Sequence, residues 1–210
     1  METNNHKYKG YHIQIVQDEH AESPDSWGNE DAFIVYDHRQ FSVERKGFEP
    51  LDIFNTINEA KAKKEPTYEG YHVFVLNAYI HSGVSLSLGR EYPFNDRWDV
   101  STTGYVLVKK QKGWSWTRAK AEKIAESIVS EWNDYLHGNV YGFTIQDSTS
   151  DENIESVWGF YGDPKGQVLE EAKHAVDSEI RRRVKARVKR LKDLIINKVP
   201  IIHRQLPSLF

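Results

Sequence analysis

The chain has 210 residues, of which 39% are hydrophobic and 12% aromatic, a composition that supports a folded core and excludes disordered and fibrous proteins. Cysteine is absent, which excludes disulfides, thiolate zinc sites and cysteine nucleophiles and is typical of a reducing cytoplasm. The net charge of −3 is unevenly distributed. Residues 164–204 hold 12 Lys and Arg against 5 Asp and Glu, a local charge of +7, so the rest of the chain carries −10.

The N-terminal part of the chain is predicted to be strands on either side of an acidic loop. Residues 10–17 alternate between apolar and polar side chains, which is typical of a half-buried strand. Residues 18–31 contain six carboxylates and no Lys or Arg, together with a proline and a glycine, which indicates a loop. Residues 32–37 and 40–45 are predicted to be two further strands.

No segment is predicted to cross a membrane or to direct export. Residues 1–12 lack the apolar run of a signal peptide, and no stretch is apolar over the length of a membrane span. We therefore expect an intracellular protein that acts in the cytoplasm.

The middle of the chain is predicted to hold a short helix and a hairpin. Residues 51–64 have a weak helical period that ends before a proline. Residues 71–80 and 84–88 are predicted strands, and the connection between them, His81 to Gly83, has the length and the glycine of a hairpin turn. A further strand is predicted over residues 104–109.

The strongest periodic pattern predicts a helix over residues 117–137. Apolar residues recur there at spacings of three and four, and Thr117 is in place as the N-cap. We expect Ile124, Ile128 and Trp132 to be buried on one stripe of this helix.

A second, long helix is predicted after the hairpin formed by residues 140–146 and 154–162. Asp163 and Pro164 provide its N-cap and first turn, and the pattern continues to residue 198. Its apolar column is narrow and consists of Val168, Ala172, Val176, Ile180, Val184, Val188, Leu191 and Ile195. The predicted fold is α+β, an antiparallel sheet core with two amphipathic helices, divided into a body at 1–163 and a basic C-terminal helix and tail at 164–210.

Six segments of the sequence resemble a family of small, uncharacterised proteins encoded by bacteriophages and other mobile elements. They occur in consistent order over roughly residues 11 to 180. The segments are AESPDSWG (21–28), DHR (37–39), HSGVSLS (81–87), WD with GYVLV (98–99 and 104–108), YLHGNVYGF (135–143) and WGFYG (158–162).

This resemblance implies a setting rather than an activity. It implies a phage product acting in the host cytoplasm, where small inhibitors of restriction, CRISPR and other defences are common. The sequence departs from the family in the acidic loop, where the family has Arg after the proline and a WDNLG run, and this chain has Asp25 and WGNED. A role that rests on that arginine does not transfer to this chain.

Four residues have the chemistry of a hydrolytic site. His81 and Ser82, with His38 and Asp99, are the residue types of a general base and a nucleophile, which must lie within about 3 Å of each other. The alternative is that His81 and Ser82 serve the geometry of a hairpin turn. We favour the structural role and keep a small hydrolase or nucleotide-processing enzyme that uses these four residues as the alternative function.

The acidic loop is predicted to be a binding surface and not a metal site. Asp18, Glu19, His20 and Glu22 are clustered oxygen and nitrogen donors, but their spacing matches neither an EF-hand nor HExxH. We predict no metal and no cofactor. The candidate contact residues of this loop are Asp18, Glu19, Glu22 and Asp25, which would face a basic partner surface.

The densest charge pattern lies in the C-terminal helix, where residues 181–192 hold eight cations in twelve positions. These are Arg181, Arg182, Arg183, Lys185, Arg187, Lys189, Arg190 and Lys192. They would wrap around the helix outside its apolar column, as phosphate binding requires a dense positive surface. Pairing with the acidic body and self-association along the apolar column are the alternatives.

Taken together, these patterns predict a binding protein that occludes a host nucleic acid or nucleoprotein, in the manner of a host-defence inhibitor. Its partners would be a host protein or nucleoprotein complex, or nucleic acid itself. A homo-oligomer through the C-terminal helix is a further alternative.

Overall fold

The computed structural model describes residues 3–59, 67–89, 100–111, 116–198 and 200–203 and has an α+β fold with antiparallel sheets. The strands are β1 (Thr3–Tyr8), β2 (Tyr11–Gln17), β3 (Ala32–Tyr36), β4 (Thr67–Tyr68), β5 (Tyr71–Ile80), β6 (Val84–Leu88), β7 (Val100–Lys109), β8 (Val140–Asp147) and β9 (Asn153–Tyr161). The helices are α1 (Pro50–Glu59), α2 (Arg118–Leu136) and α3 (Leu169–Ile196).

The chain divides into two compact units. The described residues of 1–21 and 140–210 form the first unit, and those of 22–139 form the second. The boundaries of these units differ from the predicted division after residue 163. The reason is that α3 packs on a sheet that pairs β2, near the start of the described residues, with β8.

The first unit is a four-stranded sheet in the order β1-β2-β8-β9 with α3 on one face. In β2, Tyr11, Ile13 and Ile15 are buried while His12 and Gln14 are exposed, as an alternating strand requires. Their partners across β8 are Asp147, Ile145 and Phe143, in that order. Val168, Ala172 and Val176 pack against this face and close the core of the unit.

The second unit is a five-stranded sheet with a helix on each face. Its order is β3-β7-β5-β4, with β6 paired to β5. Residues of α2, including Ala125 and Trp132, pack on one face, and Ile53 of α1 packs on the other. All five residues of β3 are buried, because a strand covered on both faces has no solvent side.

The predicted helix over 117–137 is confirmed as α2. The Thr117 side chain accepts a hydrogen bond from the Lys120 N–H at 3.4 Å, which satisfies one of the free donors of the first turn. Ile128 and Trp132 are buried, and Ile124 is half-buried at the margin of the stripe.

The structure corrects one predicted strand and adds strands that were not predicted. Residues 40–45 do not form a strand, and only Val43 bridges to Tyr36. The polar edge strand β1 was not predicted, because its apolar pattern is weak. The count of two amphipathic helices is not confirmed, since the described residues contain three α-helices. The helix predicted over 51–64 corresponds to α1, and residues 60–64 lie outside the described residues.

Within the described ranges, every helix is too short or too polar to span a membrane.

Candidate nucleic-acid interface

The helix α3 begins from a capped turn, as the sequence predicts. The Asp163 carboxylate accepts a hydrogen bond from the Lys165 N–H at 2.8 Å, and residues Pro164–Val168 form a π-helical turn before the regular helix. Glu170 and Glu171 lie in the first turn, where negative charge is favourable at the positive end of the helix dipole. The 28 residues that follow span about 42 Å.

The predicted apolar column does not stay on one side of this helix. Each step of four residues advances the side chain by about 40° beyond a full turn, so Val188 lies about 200° around the axis from Val168. Val168, Ala172 and Val176 are buried against the sheet. Val184, Val188 and Ile195 are 44%, 45% and 59% exposed, so the distal half of the column faces solvent.

The side of α3 that faces the sheet becomes ionic after Val176. Glu179 and Arg183 follow on that side, and Glu179 is only 7% exposed. Asp147, at the end of β8, is 2% exposed. A buried carboxylate needs partners, because desolvation of an unpaired charge costs several kcal/mol.

Arg183 supplies those partners from the centre of the cluster. Its Nη1 donates to Asp147 Oδ2 at 2.6 Å and its Nε donates to Glu179 Oε1 at 2.7 Å. Arg182 adds a fork to Glu179, with Nε donating to Oε2 at 2.6 Å and Nη2 to Oε1 at 2.8 Å. The Thr149 N–H donates to the other oxygen of Asp147 at 2.9 Å. We call Asp147, Glu179, Arg182 and Arg183 the anchor cluster.

These contacts lower the pKa of both carboxyl groups. The pKa of Asp147 lies below its ordinary value chiefly because of the Thr149 backbone N–H, with Arg183 adding to it, against the opposing effect of burial. The pKa of Glu179 is lowered chiefly by its hydrogen bond with Arg182, and further by Arg183. The anchor cluster is therefore fully charged at neutral pH, and it commits two of the eight predicted binding cations to the fold.

Four of the remaining cations share the opposite side of α3. On a helix of about 100° per residue, Arg181, Lys185, Lys189 and Lys192 fall within an arc of about 80°, turned away from the sheet. All four are exposed. We call these four residues the basic stripe. It spans about 16 Å along the helix axis.

The basic stripe makes no ion pair with any residue in the part of the chain that the structure describes. Arg181 is positioned by a hydrogen bond from its Nη2 to the Ser178 hydroxyl at 2.9 Å, which neutralises no charge. Arg187 is half-buried and Arg190 is exposed. Both were also predicted to bind, and both lie outside the arc of the basic stripe. The stripe is thus a row of exposed cations without ion pairs among the described residues, and Asp177, one turn before Arg181, is the carboxylate that interacts with it electrostatically.

The acidic loop is largely occupied by internal contacts. Asp25 pairs with Arg45 at 3.4 Å, and the Arg45 guanidinium lies over the Phe33 ring at 4.0 Å from its centroid. Asp18 accepts from the His20 N–H, and Glu22 accepts from the Ser26 hydroxyl at 3.2 Å. Glu19 is exposed. Asp18 and Glu19 belong to the first unit and Glu22 and Asp25 to the second.

The residues of the hydrolase alternative are not joined into a site by any contact among the described residues. His81 and Ser82 form the exposed turn between β5 and β6, where the His81 N–H donates to the Gly83 carbonyl. The His81 ring packs edge-on to Tyr79. His38 is half-buried in a loop and its Nδ1 accepts from the Gln40 N–H. Asp99 lies outside the described residues.

Metal ligation finds no support in the arrangement of the described residues, among which no group of three His, Asp or Glu side chains could hold an ion.

Sequence reasoning kept pairing of the basic helix with the acidic body as an alternative but did not identify the residues of the anchor cluster, whose two arginines it grouped with the candidate binding cations. The spacing of Glu179 and Arg183, four residues apart, was the available signal for an ion pair on one helix face. Their burial was not visible, because it depends on Asp147 in a strand 36 residues away.

Comparison of the chain with protein-family models, with curated proteins and with solved structures finds no match.

Proposed function

We propose that the protein is a binding protein that contacts nucleic acid, bare or within a nucleoprotein, through the basic stripe of α3. The observation that carries this proposal is the separation of the cations of α3 into two groups. Arg183 pairs with Asp147 of β8 and so joins the helix to the sheet, and Arg182 and Arg183 both pair with the buried Glu179 of α3. The basic stripe faces away from the sheet and has no ion pair in the described part of the chain. A rigid row of cations on an anchored helix is suited to contacting successive phosphates.

The mode of action that follows is occlusion. Backbone contacts position a protein on nucleic acid without reading its sequence, so a bound copy would cover phosphates that another protein needs. The resemblance to bacteriophage proteins supplies the setting, inhibition of a host defence system that works on nucleic acid. The hydrolase alternative rests on residue types alone, and no contact among the described residues favours it.

The direct test replaces the basic stripe and measures binding. In the stripe variant all four residues of the basic stripe are changed to Gln: Arg181, Lys185, Lys189 and Lys192. Binding of a fluorescent duplex of about 20 base pairs is followed by anisotropy at low salt. The matched control changes four exposed lysines of the second unit to Gln, which removes the same charge. These control residues are Lys46, Lys110, Lys120 and Lys123.

We expect the stripe variant to bind at least about tenfold more weakly than the parent, and the control to bind within about threefold. Equal loss in both variants would mean that only net charge matters. Equal affinity of the stripe variant and the parent would remove α3 as the contact surface.

A further inference from the structure

The face of the first unit's sheet opposite α3 presents exposed side chains from all four strands, among them a large aromatic ring. Trp158 of β9 is 47% exposed there. Phe160 of the same strand packs in the core against Phe143, with the ring centroids 5.6 Å apart. Trp158 points the other way.

The Trp158 ring is held flat by three features. The indole lies directly on the backbone of β8 at Gly142, because glycine has no side chain there. A Cβ at this position would overlap the ring. Its Nε1 donates to the Ser156 hydroxyl at 2.9 Å. The β9 register shifts at this point, and Gly159 has a φ of 85°, a conformation that suits glycine in a bulge. One ring face is fixed and the other is free.

The surroundings of the ring form three rows of side chains across the four strands. The register places Lys7, His12, Gln146 and Asn153 in one row, and Asn5, Gln14, Thr144 and Ser156 in the next. Val16, Gly142 and Trp158 form the third. Rows lie about 6.6 Å apart, two residues along a strand, which is close to the reach of one nucleotide.

The chemistry of these rows is selective. Four amide side chains offer both donors and acceptors, which is the pairing capacity that unstacked bases present on their edges. No carboxylate occurs at the face positions named above, although the chain as a whole is acidic, and Lys7 adds a positive charge. Along these three rows an anionic polymer meets Lys7 and no carboxylate.

We propose that this sheet face, centred on Trp158, binds single-stranded nucleic acid, with an unpaired base stacked on the free side of the indole. Aromatic rings on an open sheet accept any base, because every base has a π face, and neighbouring amides add polar contacts. A duplex keeps its bases stacked on each other and cannot use the ring. This surface lies on the opposite side of the unit from the basic stripe and stands independently of the function proposed for α3.

The test compares Trp158→Ala with Trp158→Tyr. The control is Phe54→Ala, which removes a ring of the second unit that is 52% exposed. The probes are an oligothymidine of about 12 nucleotides and a duplex of about 12 base pairs, which has at least about twice the charge per length, and binding is followed by anisotropy. Circular dichroism melts establish that each variant folds.

For oligothymidine we expect Trp158→Ala to weaken binding about tenfold, Trp158→Tyr to restore it to within about threefold, and Phe54→Ala to have no effect. Duplex binding should be unchanged in all three. Unchanged oligothymidine binding by folded Trp158→Ala, or an equal loss on the duplex, would overturn the proposal. No binding of oligothymidine by the parent would also overturn it, whatever the stripe variant does with the duplex.

Discussion

Arg183 shows how a cation in a basic run can be a structural residue. It is 17% exposed at the side chain and bridges Asp147 of β8 and Glu179 of its own helix. Removing it would leave two buried carboxylates, of which Glu179 keeps Arg182 and Asp147 keeps only hydrogen bonds from backbone N–H groups. The residue thereby couples the orientation of α3 to the sheet.

We predict that Arg183→Met lowers the free energy of unfolding by about 3–5 kcal/mol, the usual cost of breaking a buried ion pair by removing one partner. Arg190→Met, an exposed change on the same helix, should stay within about 0.5 kcal/mol. Urea titration followed by circular dichroism measures both. A similar small effect at the two positions would show that the anchor cluster contributes little to stability.

The anchor cluster also predicts the direction of the pH dependence. The pKa values of Asp147 and Glu179 are lowered in the folded state, so the folded protein binds fewer protons than the unfolded chain in the acid range. Their stabilisation is complete above the unfolded pKa values and is lost as pH falls through the folded ones. We expect stability to be flat between pH 7 and about pH 5 and to fall below that. In the double variant Asp147→Asn with Glu179→Gln the acid loss should be smaller, and an unchanged acid limb would contradict this assignment.

At the scale of the element, α2 is the helix whose pattern and packing agree. Ile128 is 9% exposed and lies in the core between α2 and the five-stranded sheet. We predict that Ile128→Asp unfolds the second unit, since an unpaired carboxylate in that core costs several kcal/mol. Ser130→Asp, at an exposed position of the same helix, should leave the melting temperature nearly unchanged. A melting temperature for Ile128→Asp equal to that of the parent would exclude Ile128 from the core.

The distal apolar residues of α3 make a separate prediction about self-association. Val184, Val188, Leu191 and Ile195 follow the spacing of a coiled-coil seam, and the first two and Ile195 are exposed. The seam is flanked by Lys185, Arg187 and Lys192, so two copies would bring like charges together. If α3 self-associates, the mass measured by light scattering should rise from 24.4 kDa as salt is added, because salt screens that repulsion. Binding of nucleic acid by the basic stripe should instead weaken as salt is added.

The comparison of α3 with its sequence shows where periodicity stops being informative. The pattern from Val168 to Ile195 correctly identified the helix, but it did not say which half of the column is buried. It could not predict that the buried side continues as Glu179 and Arg183, because a strict spacing of four drifts around the axis. The contact residues of the sheet had to be known before the charged residues could be sorted into anchors and free cations.

For the whole molecule, the α+β class and seven of the nine strands in the described ranges followed from local patterns, while the pairing of the strands did not. β2 pairs with β8, more than 120 residues later, and the second unit occupies the sequence between them. Nothing in the alternation of residues 10–17 specifies so distant a partner, because alternation defines a buried face and not the neighbouring strand. The Trp158 face was missed for the same reason, since its rows exist only once the four strands are in register.

The charge of the whole chain bears on the central claim, which is that the basic stripe binds nucleic acid. The basic stripe lies within the +7 segment of a protein whose other residues carry −10, so binding of a polyanion has to arise from a local surface. The measurement is the dissociation constant for a duplex of about 20 base pairs, determined for the parent and for the stripe variant over a series of salt concentrations. Each phosphate contact contributes a slope of about −0.9 in the log-log plot, so loss of four cations should make the slope shallower by about 3 to 4. Parallel lines of equal affinity for the two proteins would contradict the account.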